Sequence, residues 1–419
     1  MPINKPKGTY DVLPLESLKW QYLENIIKDV CKEYNFKEIR TPIFEESNLF
    51  HRGIGDESDI VTKETYDFVD RGNRNITLRP EGTAGVIRSY VENKLYINQN
   101  VTKLYYMGPI FRYERPQKGR YRQFNQFGVE AIGSGSPLLD VEVISFACEV
   151  LRRIGLKGIK VKLNSIGDKE SRNNYRQILV SHFSKHVDDL CEDCKNRLQK
   201  NPLRILDCKV DKDKDFFINA PKVNDYLNDE SKAHFDKVLE GLKTLGIEYE
   251  ISPNLVRGLD YYSHTVFEIE AQVEGFGSQI VIGGGGRYDD LVKDLEGPDT
   301  KAVGMAFGVD RLLIAMEFEG LFNNLEDNID CYLITMGDNA RLYGLKLINE
   351  LRKNGLSCET DFMNKGIKAQ FKQADLHKAK YTLILGDDEL NNNSINVKNN
   401  INDLQENIKI NDLINYIKR

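Results

Sequence analysis

Gly108-Pro109-Ile110-Phe111-Arg112-Tyr113-Glu114-Arg115-Pro116-Gln117-Lys118-Gly119-Arg120-Tyr121-Arg122-Gln123-Phe124 reads as the turn of a β-hairpin. Strands are expected near Lys103–Arg112 and Arg122–Ile132, with a polar, basic loop between them. A hairpin means that the sheet it enters has antiparallel pairs. The loop concentrates Arg112, Arg115, Lys118, Arg120 and Arg122 against Glu114 alone, with Tyr121 and Phe124 interleaved. Arginine suits bidentate contact with phosphate and an aromatic face suits stacking on a base, so the hairpin is equipped to hold a nucleotide and touch a nucleic-acid backbone. The plainer reading is a solvated charged loop, and composition alone favours it.

Outward from the hairpin, apolar residues at Leu18, Tyr22, Ile26, Val30 and Tyr34 recur at helical spacing. Phe36–Phe44 looks like a strand, with Pro42 marking an edge or bulge. Ile76-Thr77-Leu78-Arg79 is a short strand before a Pro-Glu-Gly-Thr turn, and Thr83 is placed to cap the helix that follows. Leu138–Ile154 is helical. From about 168 to 245 the chain is strongly charged and poor in glycine, which suggests an inserted, mostly helical subdomain. Strands return at Glu248–Ser252, Val266–Ala271 and Gln279–Ile282. Gly283-Gly284-Gly285-Gly286 then precedes a helix expected over Tyr288–Leu295, followed by strand Ala302–Phe307 and helix Val309–Met316. Beyond a polar stretch at Asn323–Asn328, strands and helices alternate at short spacing, which indicates a small, mainly parallel α/β domain. Asn391–Asn402 is Asn-rich and reads as a turn-bearing excursion.

Composition bounds what such a chain does. Its 419 residues exceed the roughly 250–300 at which one core stops growing, so two or three domains are expected. No apolar run approaches the ~20 residues of a membrane span, and no signal-peptide stretch follows the first residues. Seven scattered cysteines fit a reducing cytoplasm better than a disulfide framework. The net charge of −6 excludes a protein that coats nucleic acid and leaves room for a local basic patch.

Other motifs carry less on their own. Thr77-Leu78-Arg79-Pro80-Glu81-Gly82-Thr83 holds a carboxylate in a tight turn at a helix start, where the helix dipole alone favours an acid. Val256-Arg257-Gly258-Leu259-Asp260-Tyr261-Tyr262 is a poor core strand and suits the wall of a polar pocket. The glycine run lacks the Lys-Ser/Thr of a phosphate-binding loop and the spacing of a dinucleotide fingerprint, so close backbone approach beside a ligand is the better reading. Gly304-Met305-Ala306-Phe307-Gly308-Val309-Asp310-Arg311 places an arginine on the first turn of a helix. Cys191-Glu192-Asp193-Cys194 with Cys208 resembles half of a zinc site. Structural zinc needs four ligands, His182 and His186 stand at no standard spacing, and plain thiols are the default. No nucleophilic triad is evident around any of the six histidines.

In this order, the helix and Pro-bearing strand, the Phe-Arg-x-Glu hairpin and the Gly-Val-Asp-Arg helix resemble the three motifs of class II aminoacyl-tRNA synthetases. Lys7-Gly8-Thr9-Tyr10-Asp11-Val12-Leu13-Pro14, Leu78-Arg79-Pro80-Glu81-Gly82-Thr83 and Arg257-Gly258-Leu259-Asp260-Tyr261-Tyr262 look like the histidyl-tRNA synthetase family in particular, and the likeness runs over essentially the whole chain. The resemblance implies an α+β fold: an antiparallel-sheet catalytic domain over residues 1–325 with the helical insertion, then an α/β anticodon-binding domain over 329–419. It implies ATP with Mg2+, L-histidine and tRNA(His) as ligands, a cytoplasmic homodimer without membrane attachment, and motif 1 as the dimer interface. Arg112, Arg257 and Arg311 match the catalytic arginines. Glu81, Gly82, Thr83, Gln126, Glu130, Tyr261 and Tyr262 match the histidine pocket together with Arg112 and Arg257. Glu114 and Phe124 join the arginines around ATP, and Gln117 and Arg122 match contacts to the tRNA acceptor end. A catalytically inactive relative that regulates histidine biosynthesis is the alternative. Such relatives typically lack the last domain and have eroded motifs that this chain keeps.

Overall fold

The computed structural model describes residues 3–55, 58, 60–97, 99–257, 259–271 and 280–418. Two compact units divide the chain after residue 323.

The first unit is built on an eight-stranded sheet. Its spatial order is Lys37–Glu38, Thr102–Phe111, Gln123–Ile132, Ala302–Gly308, Ile280–Arg287, Ser263–Ala271, Ile159–Ser165 and Tyr249–Ile251. The six inner strands run antiparallel to their neighbours, and only the two outermost pairs are parallel. Side chains alternate between the two faces of a strand, so each strand sorts its residues. Along Gln123–Ile132, Phe127, Val129 and Ala131 enter the apolar core, while Gln126 and Glu130 take the opposite face. Along Ala302–Gly308, Val303, Met305 and Phe307 face the core and glycines or alanines take the other side.

Helices Pro14–Glu33, Pro137–Ile154 and Asp229–Thr244 cover the core face, and helix Val309–Phe318 packs into the same core. Helix Pro137–Ile154 is well bounded. Ser136 accepts the Leu138 N–H, Pro137 opens the helix, and Gly155 closes it at a φ of 84°. Its Ile144, Phe146, Val150 and Leu151 are fully buried. The start of this helix is pinned to the end of the fourth inner strand by a buried ion pair. Arg287 and Asp140 are both inaccessible to solvent, and the guanidinium also donates to Ser134 O at 2.9 Å and Ser136 O at 3.0 Å. Such a pair persists because its remaining donors are also satisfied.

The other face is overhung by a three-stranded antiparallel sheet, Phe44–Glu46, Asn75–Leu78 and Tyr66–Val69, which leads into helix Thr83–Glu92. Buried Arg79 fastens this layer to the hairpin by donating to Pro109 O (2.8 Å) and Thr41 O (3.2 Å). Residues between Ile159–Ser165 and Tyr249–Ile251 form the helical excursion. Helix Lys169–Phe183 and the turns after it enclose a small core of their own around Leu179, Phe183, Ile205 and Phe217. The last helix, Asp229–Thr244, packs its Phe235, Val238 and Leu242 into the main core instead.

In the second unit the sheet order is Cys358–Thr360, Cys331–Met336, Tyr381–Gly386, Ser394–Asn399 and Leu404–Lys409. The first three strands are parallel and the last two antiparallel.

The structure corrects several expectations. Phe36–Phe44 is no single strand: only Lys37–Glu38 and Phe44–Glu46 pair, in different sheets, with Pro42 in the coil between. The glycine run does not end a strand. Ile280–Arg287 continues through it, and the following helix is only Leu291–Asp294; the expected first residue of that strand, Gln279, lies outside the described residues, as does Gly258. The second unit is half antiparallel, because the Asn-rich excursion contains a strand whose Ile395 and Val397 are buried. Strands Ile159–Ser165 and Tyr66–Val69 went unforeseen.

The glycine strand yields a test. A Cβ at Gly285 would collide with Gly304 O and Met305, whereas one at Gly135 meets Lys301 only at ordinary contact distance. Gly285→Ala is therefore expected to destabilise the first unit by about 2–3 kcal/mol, and Gly135→Ala by less than about 0.5 kcal/mol. Urea unfolding followed by fluorescence of Trp20, the single tryptophan, which packs against this core, distinguishes the two.

Candidate active site

A cavity opens between the sheet, the hairpin and the turn before helix Thr83–Glu92. Glu81, Thr83, Arg112, Glu114, Phe124, Gln126, Arg257, Tyr261, Tyr262 and Arg311, ten of the expected site residues, line it. Four expected residues do not. Gly82 packs under the Tyr106 ring, and Glu130 lies one layer below the cavity wall. Gln117 and Arg122 stand on the hairpin outside the cavity.

The turn shows how sequence becomes geometry. Thr83 was expected to cap its helix, but the cap comes from Glu81, whose two carboxylate oxygens accept the N–H groups of Thr83 and Ala84, each at 2.7 Å. This frees the Thr83 hydroxyl to donate to Glu130 Oε1 at 2.7 Å. Tyr288 donates to the other oxygen of Glu130. A chain of polar contacts thus runs from the helix start through Thr83 and Glu130 to Tyr288, with Tyr261 stacked edge-on against Tyr288. Burial raises the Glu81 carboxyl above its ordinary range, and the Ala84 and Thr83 N–H groups oppose that rise. Burial also pushes the Glu130 carboxyl up, to about 8.

Three guanidinium groups stand around the opposite side. Arg112 donates to Pro80 O at 2.8 Å and lies 5.5 Å from the centre of the Phe124 ring. Arg257 pairs with Glu268, and among the described residues its Nε has no hydrogen-bond partner. Arg311 donates to Val281 O (2.7 Å) and Gly119 O (3.2 Å). Burial, then the nearby Arg120, lowers the Arg311 pKa from its usual value. Concentrated positive charge of this kind, held by backbone carbonyls at Arg112 and Arg311 and by Glu268 at Arg257, matches a polyphosphate.

Sequence reasoning did not single out Tyr288, Tyr106 or Asp310. Asp310 joins three segments: it accepts from Tyr10 and from the Asn125 N–H at 2.7 Å. Its signal was available, since Tyr10 belongs to the Lys7–Pro14 stretch and Asp310 precedes Arg311. The hairpin tip is held from below, where Arg122 lies 3.8 Å from the Tyr113 ring centre and its N–H donates to Gly8 O at 2.8 Å.

This arrangement has close counterparts. Residues 8–312 match the family described as histidyl-tRNA synthetase, and residues 330–419 match the anticodon binding domain family. The chain is 52% identical over 419 residues to the histidine–tRNA ligase of Bacillus licheniformis, covering all of this chain and 99% of that one.

The chain belongs to the histidyl-tRNA synthetase family.

Its structure is similar to that of apo histidyl-tRNA synthetase from S. aureus, with a TM-score of 0.86 and 45% identity over the whole of both chains. A structure described as an ATP phosphoribosyltransferase regulatory subunit/histidyl-tRNA synthetase from Bacillus halodurans shares the fold at a TM-score of 0.66, 21% identity, over 92% of this chain and 99% of that one. Among the described residues no helix is long and apolar enough to cross a membrane. Apart from Gly258, the family motifs quoted above fall on described residues, and the Leu-Arg-Pro-Glu-Gly-Thr, hairpin, Arg-Gly-Leu-Asp-Tyr-Tyr and Gly-Val-Asp-Arg stretches each place residues in the cavity lining.

The Glu130 carboxyl makes a pH prediction. Its native pKa is raised from 4.5 to about 8 by burial, so between those values the folded chain holds a proton that the unfolded chain has released. Stability from this group is complete below 4.5 and is lost as pH rises through about 8. Glu130→Gln should therefore lose less of its thermal midpoint than the parent across that window. Parallel midpoint-against-pH curves would show that Glu130 titrates normally.

Proposed function

We propose that this chain is a histidine–tRNA ligase, and the observation that carries the reading is the convergence of Arg112, Arg257 and Arg311 on one cavity with the Glu81, Thr83 and Glu130 network. The 52% identity to a ligase over the full length supports it over the regulatory alternative, for which there is likeness of fold alone.

In the first step a carboxylate oxygen of L-histidine attacks the α-phosphorus of ATP. The bond to the bridging oxygen breaks and pyrophosphate leaves, giving histidyl-adenylate. In the second, a hydroxyl of the 3′-terminal ribose of tRNA(His) attacks the acyl carbonyl and AMP departs. The substrate supplies the first nucleophile, so the protein needs none, and catalysis rests on positioning and on charge stabilisation. Arg112 bridges the α-phosphate and the histidine carboxylate. Arg257, with an unspent Nε, meets the charge that develops at the α-phosphate. Arg311 holds the γ-phosphate. Adenine stacks on Phe124 with Glu114 at its amino edge, and Mg2+ enters with ATP as part of that substrate.

Glu81, Thr83 and Gln126 hold the α-amino group, with Gly82 and Tyr261 shaping the pocket. Glu130 and Tyr262 read the two imidazole nitrogens, Glu130 acting from below the wall through the site it shares with Thr83 and Tyr288. A pocket whose buried polar groups need both ring nitrogens rejects analogues that leave them unpaired, by factors of about 10⁴ or more. Gln117 and Arg122 of the hairpin approach the acceptor end, and the second unit binds the anticodon. The enzyme acts in the cytoplasm as a homodimer. Ile43, Phe44, Phe68 and Val69, exposed on and beside the three-stranded sheet, support that region as the interface.

ATP–pyrophosphate exchange with each amino acid in turn tests the reading. Histidine alone should support exchange, and equal exchange with another amino acid sinks the proposal. Arg257→Ala is expected to lower the rate of adenylation far more than the affinity for histidine, because its charge acts where charge develops. A fall in affinity with unchanged turnover would give Arg257 a binding role instead.

A further inference from the structure

The three thiols of the helical excursion have an account that the sequence lacked. Cys191 caps helix Glu192–Lys200, Cys194 sits in its first turn, and Cys208 follows the turn Pro202–Asp207. Their sulfurs and a carboxylate oxygen of Asp211 all lie within 4.8 Å of one another. The missing half of the pattern is Cys208-x-x-Asp211, which repeats the spacing of Cys191-x-x-Cys194 with an acid in the last place. A search of the sequence for cysteine and histidine alone passes over it.

The geometry points to a cation. Cys191 Sγ and Cys208 Sγ are 3.8 Å apart, far beyond the ~2.05 Å of a disulfide. A tetrahedron with metal–sulfur bonds of about 2.3 Å has an edge of about 3.8 Å. Cys194, Cys208 and Asp211 are buried, and Asp211 is wholly inaccessible. Lys214 approaches one Asp211 oxygen at 2.9 Å; the other accepts the Cys191 N–H at 3.0 Å. The Asp211 N–H donates to Cys208 Sγ at 3.3 Å, a contact that favours a thiolate ligand.

We propose that Cys191, Cys194, Cys208 and Asp211 bind one Zn2+ in closed, four-coordinate S3O geometry. Soft thiolates with one hard oxygen in a tetrahedron suit zinc, and four protein ligands leave no open position for catalysis. The site is structural. Its small core gains a staple, as small cores commonly require. The segment it closes also reaches the active site: Asn201 Nδ2 donates to Asp260 Oδ1 at 2.8 Å and Arg204 donates to the backbone carbonyl of Arg257 at 3.1 Å. The metal thereby holds the strut on which the Arg257 segment rests.

The full chain, purified without a metal-affinity tag from cells grown with zinc, is assayed by elemental mass spectrometry. Close to one zinc per chain is expected, and Cys194→Ser should lose it. Should that variant fold poorly, the parent protein is stripped and refilled with Co2+ instead. Sulfur-to-cobalt charge-transfer bands and intense tetrahedral d–d bands are then expected. A zinc-free parent that develops no such bands, zinc content unchanged in folded Cys194→Ser, or a Cys191–Cys208 disulfide in peptide mapping would each overturn the proposal.

Discussion

Everything near the active site depends on four consecutive glycines in one strand, Gly283-Gly284-Gly285-Gly286. Gly283 and Gly285 lie against Phe307, Gly304 O and Met305 on the core side, while Gly284 and Gly286 lie against Arg257 and Tyr262 on the other. A Cβ on either face would strike a neighbour. The strand is therefore a spacer of minimum thickness. It lets Phe307 reach the apolar core from one side and lets Arg257 and Tyr262 settle onto the sheet from the other. The conformational entropy that glycine loses here is the cost of that close approach.

Local features of this arrangement were legible in the sequence. The hairpin, the Leu-Arg-Pro-Glu-Gly-Thr turn and the helix bearing Arg311 each declare themselves over a few residues, and ten of the residues singled out share one cavity. What escaped was set by contacts between distant segments. Four glycines look like a break because low strand propensity is local information, whereas their place in the sheet is decided by crowding from Phe307 and Arg257. Thr83 looks like a cap because the competing Glu81 carboxylate is recognisable only once the turn is folded. Ile159–Ser165 alternates along its length, but the charged excursion that begins soon after masks so short a signal. Asp211 joined the thiols only in three dimensions.

The electrostatics divide between the two sides of the cavity. Arg112 and Arg311 are braced by carbonyl oxygens and Arg257 by Glu268, so little reorganisation is needed when phosphates arrive. Glu130 is the reverse. Burial pushes its carboxyl up to about 8, and the two hydroxyl donors, which favour the charged form, only partly oppose that rise. An overall charge of −6 is thus compatible with a chamber where Arg112, Arg120, Arg257 and Arg311 gather around a few acids, because net charge says nothing of where the cations cluster.

The contacts of Asn201 and Arg204 with the Arg257–Asp260 segment have a consequence for energetics. Binding and folding are linked functions, and the linkage works in both directions. A ligand that engages Arg257 biases the segment toward the position in which it meets Asn201 and Arg204, and so stabilises the excursion's core. By the same free energy, loosening of that core weakens the ligand's hold. An excursion inserted in the chain between two neighbouring parallel strands is in this way a thermodynamic partner of the catalytic chamber. Its local unfolding would register as a change in affinity at a site it does not enter.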